Sequence, residues 1–278
     1  MKRNVFLRNT VAAALGLTTA PSWASAQTKK AENADRSGAK VTAVKTYVHP
    51  TACFVKIETD AGISGWGEAD HDHTAIVAKA IRDVGARYVV GEDPFQSEHI
   101  WNQIFYLGED LGTNGIATGA LAGIDNALWD LKGKLTGQPV YKLLGGNKVE
   151  KIKVYGSFGR GERNKIKTPE ECGKIAADFV ARGYDTVKVR MQLRIQNRNP
   201  EPDTTEAYVK AVRQAIGDNT TLFVDFKNGY TPGKAIELIL RLYEKYNVQI
   251  VEEPVSYKDY DGLRQCVEAS PIRIAAGE

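Results

Sequence analysis

The chain has 278 residues, 42% of them hydrophobic and 26% charged, with a formal net charge of +3. This is ordinary globular composition. The small charge gives no case for a nucleic-acid or anionic-surface partner, and no run approaches the roughly 18 apolar residues of a membrane span.

Residues 1–26 read as a secretory signal: Lys2, Arg3 and Arg8 make a basic start, "VAAALGLTTA" an apolar core, and "ASA" at 24–26 a cleavage site. An exported, periplasmic protein is expected. "KRNVF" is close to a twin-arginine signal with Lys2 in place of the first arginine, so the route stays open between that pathway and the general one. Residues 27–40 are polar and read as a linker. "VTAVKTYVHP" and "ACFVKIETDAGISGWGEA" give three strands, the second and third joined by a turn at "DAG". A helix is expected over "HTAIVAKAIRDVGARYVVG", with Ile76, Ala80, Val84 and Ala86 at helical spacing. Two more follow, "FQSEHIWNQIFYL" and "IATGALAGIDNALWDLKGKLTG". The latter has Leu121, Ile124, Leu128 and Leu131 on one face and stops at Gly137, with Pro139 beyond. Sheet first and helices after predicts an α+β domain over 41–146, with Trp66 and Trp129 in its core.

After "LLGG" the rhythm changes. Strands are expected at 152–158, 185–191, 221–226, 249–254 and 272–278, with helices between them, the first capped by Thr168 with Pro169 at its opening position. Unbroken alternation predicts parallel βα units over 151–278, either a doubly wound sheet or part of a (β/α)₈ barrel. Cys53, Cys172 and Cys266 are odd in number, far apart and outside any CxxC pattern, so buried free thiols are expected.

The carboxyl ends of these strands carry the chemistry. The second ends near Lys188 and Arg190, the third in Asp225, the fourth in Glu252 and Glu253, the fifth in Glu278. Parallel barrel strands deliver such ends to one mouth, and alternation puts Lys188 and Arg190 on one side of their strand. A lone acid at a strand end is usually a cap or a solvated group. Three on consecutive strands suit a hard divalent cation, and an oxygen-only set suits Mg²⁺.

With these stretches the sequence resembles the mandelate racemase/muconate lactonizing branch of the enolase superfamily. The matching runs are "GISGWGEA" (62–69), "ALAGIDNALWDLKGKLTGQPVYKLLGG" (120–146), "VKVR" (187–190), "VDFKNG" (224–229), "VEEP" (251–254) and "AAGE" (275–278). The resemblance implies a capping domain before a modified TIM barrel, with Mg²⁺ ligands at Asp225, Glu252 and Glu278 and Glu253 as their neighbour, the choice between Glu252 and Glu253 staying open at the level of sequence. A whole barrel takes about 250 residues, so the chain reads as a truncated product. Its barrel would lack three βα units and the opposing acid/base, and the fragment alone would be inactive.

The chemistry implied is removal of the proton beside a carboxylate, giving an enediolate stabilised by the metal; a Lys or His base with Mg²⁺ is the superfamily's recorded pattern. The function expected is a Mg²⁺-dependent dehydratase, a carbon–oxygen lyase, acting on a sugar acid. The alternatives are a racemase or epimerase, a cycloisomerase, or a non-catalytic remnant. Relatives often carry Lys-x-Lys where this chain has Lys188-x-Arg190. Arginine keeps its proton, so Lys188 is expected as base and Arg190 as partner of the substrate carboxylate, with the reversed assignment also drawn in similar dehydratases. Lys227, in "DFKNG", is expected either to protonate a leaving hydroxyl or to neutralise the acids. Ser157 and Arg160 are candidate substrate contacts, Arg194 and Arg198 form a basic loop, and "DHDH" at 70–73 reads as a solvated turn. A homo-oligomer is expected by family likeness alone.

Overall fold

The structure, a computed structural model, describes residues 38–107, 115–146, 149–159, 167–191 and 198–277. The leader at 1–26, most of the linker, Arg160, Arg194 and Glu278 lie outside them. Two compact units are formed, Met1–Glu150 and Lys151–Glu278.

In the first unit, β1 (Val41–His49), β2 (Ala52–Thr59) and β3 (Ser64–Asp70) form an antiparallel sheet in chain order. Alternation sorts β2: Cys53, Val55, Ile57 and Thr59 are buried, while Phe54 is exposed. Against the buried face pack α1 (Thr74–Asp83), a 3₁₀ turn (Gly85–Tyr88), α2 (Ser97–Leu107) and α3 (Ile116–Thr136), with a short α4 (Val140–Leu143) after them. Leu121, Ile124, Leu128 and Leu131 of α3 are all buried, and the helix ends at Gly137 in the left-handed conformation. Gly65 and Gly67 explain the "GISGWG" run. A Cβ at either would overlap the α3 backbone, at the carbonyl oxygens of Ala127 and Gly123 respectively.

Two expectations fail here. The buried face of α1 is Thr74, Val77, Ala78 and Ile81, and Ile76 is exposed. The helix also stops before Gly85, where a Cβ would overlap the Ile124 side chain. Trp66 is 43% exposed, because alternation about the buried Gly65 and Gly67 turns it outward, where it lies 5.1 Å from Tyr47. Trp129 is half-buried, with the Lys132 ammonium 3.3 Å from its ring centre.

In the second unit, β4 (Gly156–Phe158), β5 (Thr186–Arg190), β6 (Thr221–Asp225), β7 (Val248–Glu252) and β8 (Arg273–Ala275) form one parallel sheet in that order. A doubly wound sheet reverses its strand order at a switch point. This one does not, and with α5 (Pro169–Ala181), α6 (Thr205–Ile216), α7 (Pro232–Tyr246) and α8 (Tyr260–Ala269) it makes a partial (β/α) barrel. Val187, Val189, Leu222, Val224 and Val251 are fully buried among apolar helix residues such as Val209, Leu238 and Ile239. Thr168 makes a full capping box with Glu171 at the start of α5. Arg213 closes helix ends by donating to the carbonyls of Gly217, Thr220, Tyr246 and Asn247. The strand expected at 152–158 is ladder-paired only over Gly156–Phe158, and Ile152 and Val154 are exposed. Cys53, Cys172 and Cys266 are buried and free.

Candidate active site

The ladder register assembles the site. Arg190 pairs with Asp225, and Asp225 with Glu252, so these three side chains form one row at the carboxyl ends of β5, β6 and β7. Two residues back, Lys188 pairs with Ser157 on one side and Phe223 on the other, on the same face as Arg190.

The charges meet closely. The Lys188 ammonium donates to Glu252 Oε2 at 2.6 Å and lies 4.0 Å from Asp225 Oδ2; Arg190 Nε is 3.8 Å from that same oxygen. Burial pushes the Asp225 carboxyl up from its usual range; the Lys227 amide opposes this, Glu252 adds to it, and Lys188 and Arg190 oppose it. For Lys188, burial disfavours the charge, yet the hydrogen bond with Glu252 and the charges of Glu252 and Asp225 outweigh it and raise the pKa. Tyr155 lies under the Lys188 ammonium, 5.4 Å from nitrogen to ring centre, and packs edge-on against Phe223.

Beside this row sits a second group. The Lys227 amide donates to Asp225 Oδ1 at 2.8 Å. The Lys227 ammonium is 3.9 Å from Glu253 Oε2, and Glu253 is buried. Asn228 Nδ2 donates to the same Glu253 oxygen at 2.9 Å. Lys227, Asn228 and Glu253 all have left-handed backbones, with φ of 47°, 62° and 46°.

Of the expected site residues, Lys188, Arg190, Asp225 and Glu252 lie together, Ser157 occupies the neighbouring register position, Lys227 adjoins through the Asp225 carboxylate and Glu253 through Lys227. Arg198 is exposed. In "DHDH", Asp70 accepts from the amides of Asp72 and His73 in a turn before α1, and both histidines are exposed. Tyr155 and Asn228 were not singled out from the sequence. Tyr155 had no signal, and Asn228 had only its Asn-Gly turn dipeptide.

Among the described residues no group of three or more His, Cys, Asp or Glu could hold a metal; the third expected ligand, Glu278, lies outside them. The pair that is described fits Mg²⁺ on its chemistry. Both donors are carboxylates, one is desolvated and repelled by the other, and two cationic side chains already crowd the same oxygens.

Comparison with known proteins places both units in one family. Residues 26–145 match the mandelate racemase/muconate lactonizing enzyme N-terminal domain, and residues 171–278 match the enolase C-terminal domain-like family. The chain is 34% identical over 242 residues to D-galactonate dehydratase of Pectobacterium atrosepticum, which covers 86% of this chain and 61% of that protein. The chain thus spans about 61% of the length of the curated relatives it matches. Among solved structures it is similar to a magnesium-complexed mandelate racemase/muconate lactonizing protein from Paracoccus denitrificans, at 30% identity and a TM-score of 0.79, over 87% of this chain and 65% of that one. It is also similar to the 3,6-anhydro-D-galactonate cycloisomerase of Zobellia galactanivorans, at 31% identity and a TM-score of 0.72, over 86% and 65% of the two chains. With both domains matched, the chain belongs to the mandelate racemase/muconate lactonizing enzyme branch of the enolase superfamily.

Proposed function

We propose that the chain supplies the capping domain and the base-bearing part of a sugar-acid dehydratase, a carbon–oxygen lyase dependent on Mg²⁺. The observation that carries this reading is the row of Arg190, Asp225 and Glu252 with the Lys188 ammonium 2.6 Å from Glu252. Similarity to D-galactonate dehydratase supports an aldonic acid as the substrate class. Asp225, Glu252 and Glu278 would hold the metal. When bound, Mg²⁺ supplies positive charge where negative charge grows on the substrate carboxylate.

Lys188 accepts the proton from the carbon beside that carboxylate. In the arrangement described it is held protonated by Glu252 and Asp225. Neutralising those two carboxylates removes what holds the proton, and burial then favours the neutral amine that a base must be. Arg190 stays charged and binds the substrate carboxylate. The C–H bond breaks first, its proton passing to Lys188; the neighbouring C–O bond would then break, the departing hydroxide taking that proton back from Lys188 to leave as water and the free amine being restored. Lys227, beside the buried Glu253 carboxylate, suits neutralising the acids better than surrendering a proton. Ser157 and Arg160 would meet sugar hydroxyls. Export through residues 1–26 would place the protein in the periplasm.

Calorimetric titration with Mg²⁺ tests the metal reading. The chain is expected to bind it, and Asp225→Asn and Glu252→Gln are each expected to lose it. Exchange of the α-proton of D-galactonate in D₂O, followed by NMR in a protein extended to its relatives' full length, tests the chemistry. Lys188→Met should slow exchange by about 10²–10⁴-fold. Mg²⁺ binding that survives both carboxamide changes would sink the reading. Exchange without loss of water would favour the second reading, a racemase or cycloisomerase, which similarity to the anhydrogalactonate enzyme supports.

A further inference from the structure

We propose that Asn228 is a positioning residue: its side chain locks the left-handed turn Lys227–Asn228 onto Glu253 and thereby aims the Asp225 carboxylate. The inference rests on the reading of Asp225 as an acid of the site and deepens it.

One oxygen of Asp225 is pinned by the Lys227 amide, two residues ahead, at 2.8 Å. That amide points back at the carboxylate in a turn where Lys227 and Asn228 stand at φ of 47° and 62°. Left-handed backbone is unfavourable for residues with a Cβ and persists only when neighbours over-determine it. Glu253, opposite, has the same strain, with φ of 46°.

The bonds that hold the two strained segments together run largely through Asn228, which is buried. Its amide donates to the Glu253 carbonyl at 2.9 Å, and its Nδ2 donates to Glu253 Oε2 at 2.9 Å. Its Oδ1 accepts from the Tyr257 amide at 3.1 Å. The turn closes through Gly229, whose amide donates to the Phe226 carbonyl, and Glu253 is tied onward by its own amide to the Ala275 carbonyl at 2.8 Å. Backbone bonds from the Phe226 and Asn228 amides to the Glu252 and Glu253 carbonyls join the segment after β6, which carries the Lys227 amide, to that after β7, and the Asn228 carboxamide adds the side-chain link that fixes the turn between them. Asp225 Oδ1 is occupied by that fastening, while Oδ2 is the oxygen nearest Lys188 and Arg190.

The competing account makes Asn228 a turn former, chosen because asparagine tolerates positive φ. Glycine separates the two, since it tolerates that backbone better still but has no side chain. The measurement is amide hydrogen exchange of the whole chain without metal, paired with Mg²⁺ titration. In Asn228→Gly, exchange at the Lys227 amide should speed at least about tenfold while the Val187 and Val224 amides keep their protection, and Mg²⁺ affinity should fall about tenfold. Asn228→Asp sets two carboxylates together and should loosen the same amide. Adding Glu253→Gln restores a donor–acceptor pair in the reversed direction, and protection should return. Unchanged protection of Lys227 in Asn228→Gly overturns the proposal, as does exchange accelerated uniformly across the sheet or a double variant no better than Asn228→Asp. If the unsubstituted chain binds no Mg²⁺, the proposed function falls and the exchange measurements alone decide the role of Asn228.

Discussion

Asp225 shows how one residue can serve a site at the expense of the fold. Burial, with Glu252 adding to it, raises its folded pKa above the usual 3.8. A raised carboxyl binds its proton more tightly folded than unfolded, so its contribution is fully present below about pH 3.8 and is lost as pH rises through the folded value. At neutral pH the ionised group is a cost. Asp225→Asn should therefore keep or raise the metal-free melting midpoint at pH 7, while removing any stabilisation by Mg²⁺. A metal-free midpoint that drops sharply would mean the contacts with Lys188 and Arg190 outweigh desolvation. Glu206 has the opposite sign. Lys245 at 3.0 Å, the Tyr246 hydroxyl at 2.9 Å and Arg241 at 3.4 Å pull its pKa below the usual 4.5, with Lys245 the largest cause. Its contribution is present above about pH 4.5 and lost as pH falls through the depressed folded value. Glu206→Gln should thus cost up to about 1 kcal/mol at pH 7 and almost nothing near pH 3, as urea midpoints at the two pH values would reveal.

At the scale of elements, what could be read in advance were positions that one local rule decides. Thr168 with Pro169 and Glu171 starts a helix wherever it occurs, and Gly137 ends one. Lys188, Arg190, Asp225 and Glu252 met because parallel strands bring their carboxyl ends to one edge whatever lies between. What could not be read were positions that a distant neighbour decides. Ile76 and Val77 are equally apolar, and only the packing of α1 chooses Val77 for burial. Trp66 looks like a core residue by type, but flanking glycines give the inner face of β3 to the α3 backbone, leaving the indole outside. The lock at Asn228 depends on Glu253, 25 residues away, and on two backbone angles that no sequence spacing encodes. The glycine packing is itself testable. A methyl at Gly67 would overlap the Gly123 carbonyl, Ala127 nitrogen and Asn126 Cβ, two of them backbone atoms that cannot rotate away. Gly67→Ala should cost about 1–3 kcal/mol, several degrees in the thermal midpoint. A midpoint unchanged within a degree would show that α3 can lift off the sheet without loss.

Across the whole molecule, apolar burial divides where the contact units divide. One core runs from Ala39 to Leu135 and is built on the antiparallel sheet, α1, α2 and α3; the other runs from Cys172 to Cys266 around the parallel sheet. Among the described residues, the strand-end acids belong to the second unit, and Trp66, Trp101 and Trp129 to the first. A ligand that binds only the folded form stabilises the unit that contains its site, by about 2.7 kcal/mol at a hundredfold excess over its dissociation constant. The fully buried Val55, Ile57, Ile81, Ile100, Ile124, Leu128 and Leu131 give the first unit a core of its own, at a size where single domains do fold alone. A segment of residues 38–146 should therefore unfold cooperatively, with a tryptophan-emission midpoint that Mg²⁺ does not move. A non-cooperative transition would show that this core is insufficient by itself. A cooperative one that shifts with Mg²⁺ would place a metal site among residues of the first unit, away from Asp225 and Glu252.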